Sequence, residues 1–295
     1  MMNIKKLFVS LCAIAALTGC KSAKRDDYVV AKSLNKDNAI AQNEFKFYLN
    51  LDNKLDLRGE YSHDRSVAGT HMMYYGTPAT ALAQVFSHAA INSSMQEKKL
   101  REQQDQANKL IMPLIEASKS VTHKSLAESK RHYVVDHPPI AGEKTVQVRP
   151  IFFANQDMKK LSLKLVAWIE KPKSKKTKSR KKLNNLMYQN IIEVHGATWS
   201  EELAGQLMNG NADISKQYDA LFDRAIESLK KDLSGTYSQV PQQQTLHIKK
   251  KNNKQFLRAS VIEHSCEYVV IKNLRNWILH YPANYVTNLP SQCDS

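Results

Sequence analysis

Two imidazoles and a carboxylate are the first chemistry met along this chain. His63, Asp64 and His71, in EYSHDRSVAGTHMMYYG, could ligate zinc if their loop folded back on itself. Their spacing matches no familiar ligand set, and a polar loop collects such residues by chance, so no metal site is assigned. Further on, His195 stands with Glu193 and Trp199 in IIEVHGATWSEE, at a strand end beside a helix start. General acid–base or nucleophilic work there would need a partner and a pocket, and no Ser, Cys or Asp is placed by sequence to complete the set. Gly196 more simply permits a turn, and Trp199 more simply packs. Cys266 with His264 and Glu267 makes a Cys–His pair on paper, but positions 264 and 266 share one face of a strand, where adjacency is ordinary. The chain has no HExxH, phosphate-binding loop, dinucleotide fingerprint or GxSxG elbow. No catalytic residue and no cofactor follow from these patterns. Enzyme activity stays open, with the balance against it.

The densest signal is electrostatic. KPKSKKTKSRKK, residues 171–182, carries Lys171, Lys173, Lys175, Lys176, Lys178, Arg180, Lys181 and Lys182 in a chain of net charge +15. In a cytosolic protein such a run reads as a localisation or nucleic-acid patch. Here no aromatic side chain is interleaved to stack on bases, and the N-terminus, discussed below, points to export, so nucleic acid is not the expected partner. The run fits a polyanion contact: anionic headgroups, worth about 1 kcal/mol per basic residue near the surface, an acidic partner protein, or an anionic wall polymer. The alternative is a solvated hairpin tip.

The elements that hold these residues follow from periodicity. EFKFYLNLDNKLDLRGEYS alternates apolar and polar residues through Phe45, Phe47 and Leu49, then Leu55 and Leu57, which predicts a hairpin turning at LDNK. Residues 76–118 predict a long helix, or two joined near 92–94, started by Thr77 and Pro78 and bent or ended by Pro113. RHYVVDHPPIAG predicts a short strand; 145–154, 161–170 and 186–196 predict three more, the last two pairing across the basic run. Thr198 and Glu201 suggest a capping box. Tyr218, Leu221, Phe222, Ala225, Ile226, Leu229 and Leu233 give the clearest helical stripe, with Asp213 as cap and Gly235 as stop. Four strands close the chain. The expected class is α+β, with mainly antiparallel sheets packed against a long helix and a helix pair. The expected division is a tether at 20–43, an α+β domain at 44–237 and a β-rich C-terminal domain at 238–295.

The first twenty residues, MMNIKKLFVSLCAIAALTGC, place Lys5 and Lys6 before an apolar run from Leu7 to Leu17. That run is too short to span a bilayer and has the layout of an export signal. LTGC, residues 17–20, resembles the processing box of bacterial lipoproteins. The resemblance implies a signal peptide at 1–19 and an acylated Cys20, with Lys21 in place of the Asp that often retains such proteins at the inner membrane. It therefore implies an outer-membrane anchor with the protein facing the periplasm. Of the remaining cysteines, Cys12 lies in the signal, and Cys266 and Cys293 are expected to form a disulfide in that oxidising compartment. Such a bond would close a loop of about 27 residues and contribute about 3 kcal/mol.

The expected function is a lipid-anchored structural or accessory component of an envelope assembly, contacting envelope proteins or an anionic polymer through the basic hairpin and the long helix. A periplasmic lipid or small-ligand binding protein is one alternative, and a cell-envelope hydrolase is the other.

Overall fold

The computed structural model describes residues 26–61, 97–140, 142–172, 185–211, 213–249 and 254–289. The chain divides into two compact units, Met1–Asp26 with Tyr61–Gln106, and Asp27–Glu60 with Ala107–Ser295. In the first, residues 97–106 are helical, and Lys98 and Glu102 face each other one turn apart at 3.8 Å. Among its described residues the second holds nine strands: β1 (Phe47–Tyr48), β2 (Leu57–Gly59), β3 (Val146–Ala154), β4 (Leu161–Glu170), β5 (Leu186–His195), β6 (Gln244–Lys249), β7 (Lys254–His264), β8 (Tyr268–Asn273) and β9 (Ile278–Pro282). Its helices are α1 (Met112–Ala117), α2 (His123–Glu128), α3 (Glu201–Met208) and α4 (Ser215–Leu233). The class is α+β.

All nine strands belong to one sheet, ordered β1-β3-β4-β5-β9-β8-β7-β6, with β2 also on β3. The hairpin across the basic run forms as expected: β4 and β5 pair antiparallel through Leu163↔Val194 and Leu165↔Ile192, and Lys171 N–H donates to Asn185 O at 2.8 Å. The C-terminal strands do not form a separate domain. β5 pairs β9 in parallel, Ile192↔Ile278, so the boundary drawn at 237/238 runs through a continuous sheet.

The early hairpin is different from its prediction. β1 and β2 do not pair with each other; they lie end to end along β3, both parallel to it, with Phe47↔Val146 and Leu57↔Phe152. The alternation was about burial, and Phe45, Phe47 and Leu49 are buried as it requires, but their strand partner lies far along the chain. RHYVVDHPPIAG gives a 3₁₀ turn at Arg131–Tyr133 and a single bridge from Val134 to Phe47, not a strand. Pro113 stands near the start of α1, after a break at Ile111, where its missing N–H costs nothing.

Every residue of the α4 stripe from Tyr218 to Leu233 is buried against the sheet. Each such side chain contributes roughly 1.5–3 kcal/mol of transfer free energy. Gly235, at φ +82°, follows the end of α4 and separates it from a 3₁₀ turn at Thr236–Ser238. Asp213 Oδ1 accepts from Ser215 N–H at 2.9 Å, whereas α3 is capped by Ser200, not Thr198: its hydroxyl accepts from Leu203 N–H at 3.1 Å. Thr198 Oγ1 instead meets the Tyr285 hydroxyl at 2.5 Å.

A second core lies on the opposite face of the sheet, with Ile151, Phe153, Val166, Ile191, Leu279 and Tyr281. Residues 27–43, expected to be a loose tether, are part of the fold. Asp27 is buried and pairs with Lys164 at 2.9 Å. Val29 and Ala31 pack on the second core, Trp277 Nε1–H donates to Val29 O at 3.0 Å, and Lys32 bridges Gln189 of β5. Ile40 is buried in the first core.

One glycine is set by close approach. A Cβ on Gly59 would lie 2.3 Å from the carbonyl oxygen of Ala107, while its N–H donates to Asn108 Oδ1 at 2.9 Å. Gly59→Ala is expected to cost about 2 kcal/mol or more in urea unfolding, the scale of overpacking a fitted core. Gly205→Ala, on α3 where a Cβ meets nothing within 4 Å, serves as control and should gain up to about 1 kcal/mol.

Candidate functional site

Helical spacing puts Ala220, Arg224, Glu227 and Lys231 on a stripe beside the apolar one on α4, with Ser228 at the boundary between them. This stripe faces the sheet where β7, β8 and β9 present Glu263, Tyr268 and His280. Together these residues line a cleft of about 360 Å³. Along β9, Ile278 packs in the first core while Leu279 and Tyr281 pack in the second, and the period-two alternation sends His280 to the α4 side.

Ser228 Oγ lies 2.5 Å from His280 Nε2, and both residues are buried. The rim carries charge of both signs. Lys231 Nζ donates to Glu263 Oε1 at 2.6 Å, and Arg224 sits over the Tyr268 ring at 5.3 Å and 3.9 Å from Glu267. Burial, reinforced by the positive charges of Arg224 and Lys231, pushes the His280 pKa down to about 3. The imidazole is therefore neutral at pH 7 and carries one proton on one of its two nitrogens.

That proton decides the chemistry. To take a proton from Ser228, Nε2 must be the acceptor, which puts the hydrogen on Nδ1. Nδ1 is buried without a hydrogen-bond partner among the described residues. In a working triad a carboxylate on this atom holds the tautomer and stabilises the imidazolium; here the neighbouring charges named above oppose the imidazolium. The pair is a buried tie between α4 and β9. A fluorophosphonate probe is accordingly expected to leave Ser228 unlabelled by peptide mass spectrometry at pH 7 and 9. Labelling that Ser228→Ala abolishes would make the protein a hydrolase.

The residues singled out by sequence fall elsewhere. Glu193 and His195 lie on the other face of β5, His195 Nε2 3.1 Å from Glu193 Oε1 and its ring stacked on Tyr281 at 4.4 Å. Burial disfavours the Glu193 carboxylate, but His195 and Lys164 outweigh it and hold its pKa below the usual value. Trp199 is buried in the first core, and Glu193 with His195 forms a packed polar cluster. Cys20, His63, Asp64, His71 and Lys173 to Lys182 lie outside the described residues. Lys171 is described and exposed at the hairpin root.

The expectation of a Cys266–Cys293 disulfide is corrected. No such bond joins two described residues, because Cys293 lies outside them, and no pinning of the tail to the sheet is drawn from it. Cys266 lies in the bend where Ser265 N–H donates to Tyr268 O at 2.9 Å.

Among the described residues no three His, Cys, Asp or Glu side chains come together to hold a metal ion, and no helix is long and apolar enough to cross a membrane. Comparison with protein-family models, curated proteins and solved structures gave no match. The functional reading rests on this chain alone. Sequence reasoning missed Ser228 and His280 because each is unremarkable in its own element. The available signal was a lone Ser bordering the apolar stripe of α4 and a lone His inside the apolar strand ILHYP.

Proposed function

We propose that this chain is an exported lipoprotein, acylated at Cys20, that works at the periplasmic face of the outer membrane as an accessory component of an envelope assembly. The observation that carries the reading furthest is the seating of the N-terminal segment on the sheet from Asp27 onward. Only residues 20–26 lie between the proposed anchor and the fold, and fully extended they span about 25 Å at most. The fold would thus be held against the bilayer rather than on a long leash, and its local concentration there is set by that short span. The same segment runs from Asp27, beside Lys164, to Lys32, beside the root of the basic hairpin. Anchor and cationic run would then act at one surface.

The test is photo-crosslinking in cells followed by capture from native membranes. The intact protein is compared with a variant in which the eight basic residues of 171–182 become Ser or Gln. A discrete set of envelope proteins captured only by the intact form is the expected result. Identical sets from both forms would move the interface away from the hairpin, and capture of none would defeat the assembly role.

A second reading, small-ligand binding, is favoured by the cleft beneath Arg224 and Tyr268. Stabilisation of the intact protein against heat by periplasmic extract, lost in Arg224→Ala, would support it.

A further inference from the structure

We propose that a small cleft at the root of the β4–β5 hairpin is a binding site for a phosphate-class oxyanion. The cleft, of about 150 Å³, is lined by Lys32, Ser33, Asn35, Asn38 and Lys171, with Leu34 and Met187 supplying its apolar contacts. Two lysines whose side chains approach each other, one serine and two asparagines thus border a space large enough for a phosphate group. No carboxylate lines it among the described residues; of the acids adjacent in sequence to its lining, Asp37 is exposed in the adjoining turn and Glu170 is exposed at the end of β4.

The donors stand on rigid supports. Lys32 is tied to β5 through both backbone bonds with Gln189, at 2.6 and 2.9 Å, and Lys171 is tied to Asn185 at 2.8 Å. The Lys32 ammonium also donates to the Leu186 carbonyl, which leaves further N–H groups to be satisfied. Asn38 N–H closes a turn on Asn35 O at 2.9 Å, which holds the backbone of the two residues together. A bound oxyanion would accept from these donors with charge-assisted bonds.

The electrostatics call for the same ligand. Burial and the neighbouring Lys171 charge lower the Lys32 pKa, so the two cations repel each other in the empty cleft. An anion between them offsets that repulsion and favours the charged form of Lys32. Mixed-sign surroundings, such as the cleft at Arg224, have no such preference. The inference deepens the envelope reading, on which it rests only for the source of the anion: a lipid headgroup phosphate or a free phosphate offers the same chemistry.

Amine acetylation followed by mass spectrometry reads the site directly, since acylation requires the neutral amine. The full chain is held in phosphatidylcholine vesicles, with and without inorganic phosphate at constant ionic strength, and in vesicles containing phosphatidylglycerol. Lys119, whose side chain is 68 % exposed, is the reference. Several-fold slower acetylation of Lys32 and Lys171 on adding phosphate is expected for a site open to the free ion. Slowing with phosphatidylglycerol alone assigns the headgroup as the source. Unchanged reactivity in both arms overturns the site.

The double variant Ser33→Ala/Asn35→Ala, at two exposed positions, should lose the protection while melting with the parent. Protection that persists in this variant would place the anion elsewhere and also overturn the proposal. The phosphate arm needs neither an envelope partner nor an anionic membrane, so its failure and the failure of the assembly role are separate results.

Discussion

Asp232→Ala is expected to cost about 3–5 kcal/mol, the scale of stripping one partner from a buried ion pair. Asp232 projects from the last turn of α4, accepts hydrogen bonds from two buried groups and is the ion-pair partner of a third. Tyr188 O–H and Asn190 Nδ2–H donate to Oδ2 at 2.8 and 3.0 Å, and Lys272 Nζ lies 3.6 Å from Oδ1. Tyr188 and Asn190 come from β5 and Lys272 from β8, so this carboxylate joins the helix to both halves of the sheet. Burial and Asp232 itself raise the Tyr188 pKa well above the ordinary phenol value, which keeps it a donor throughout the working range. Removing the carboxylate leaves an ammonium, a phenol and an amide desolvated without it.

Urea unfolding checks the magnitude. The double variant Asp232→Asn/Lys272→Met, which removes both charges and keeps an acceptor for Tyr188, should recover most of the loss. A cost below about 1 kcal/mol, the value of an exposed pair, would show that water reaches the network.

The second large effect is acid sensitivity through His280. In the unfolded chain its imidazole takes a proton as pH falls through about 6.5, whereas in the fold burial and the Arg224 and Lys231 charges delay this to about pH 3. Between those values the unfolded state binds more protons, so stability falls as pH falls. The loss begins near pH 6.5 and reaches at most about 5 kcal/mol by pH 3. Glu193, whose folded pKa is lowered, adds acid dependence of its own. The measurement is therefore a difference. Urea melts from pH 7.5 to 4 should show a steep decline for the parent and a shallower one for His280→Gln. Equal slopes would mean that His280 is solvated in the fold.

Both groups show where sequence reading stops. The α4 stripe and the β4–β5 hairpin were legible because their signals are local: a three–four spacing in one case, two apolar strands flanking a polar connector in the other. The parallel pairing of β1 and β2 with β3 was not, because Phe47 and Val146 are a hundred residues apart and nothing in either segment names the other. Residues 27–43 looked like a tether because they are polar on average. Their seating depends on a few residues, Asp27, Val29, Ala31 and Ile40, whose partners are supplied by distant strands.

The candidate site follows the same logic. Ser228 is one Ser in a helix and His280 one His in a strand, and their contact exists only once α4 lies across β9. Glu193 and His195 were visible as neighbours, and they are neighbours, but which face of β5 they occupy depends on the helices covering the other one. Composition told of the basic run; only the fold places its first residue, Lys171, beside Lys32.

The central proposal is the lipid anchor at Cys20, from which only a short span would lead to Asp27 on the sheet. The most direct measurement is mass spectrometry of the mature N-terminal peptide from fractionated cells, for the parent and for Cys20→Ser. The account predicts a parent peptide that begins at an acylated Cys20 and is recovered with the outer membrane, and a Cys20→Ser chain that is neither acylated nor cleaved there. A mature N-terminus at another residue, or a parent recovered without acyl chains in the soluble fraction, would contradict it.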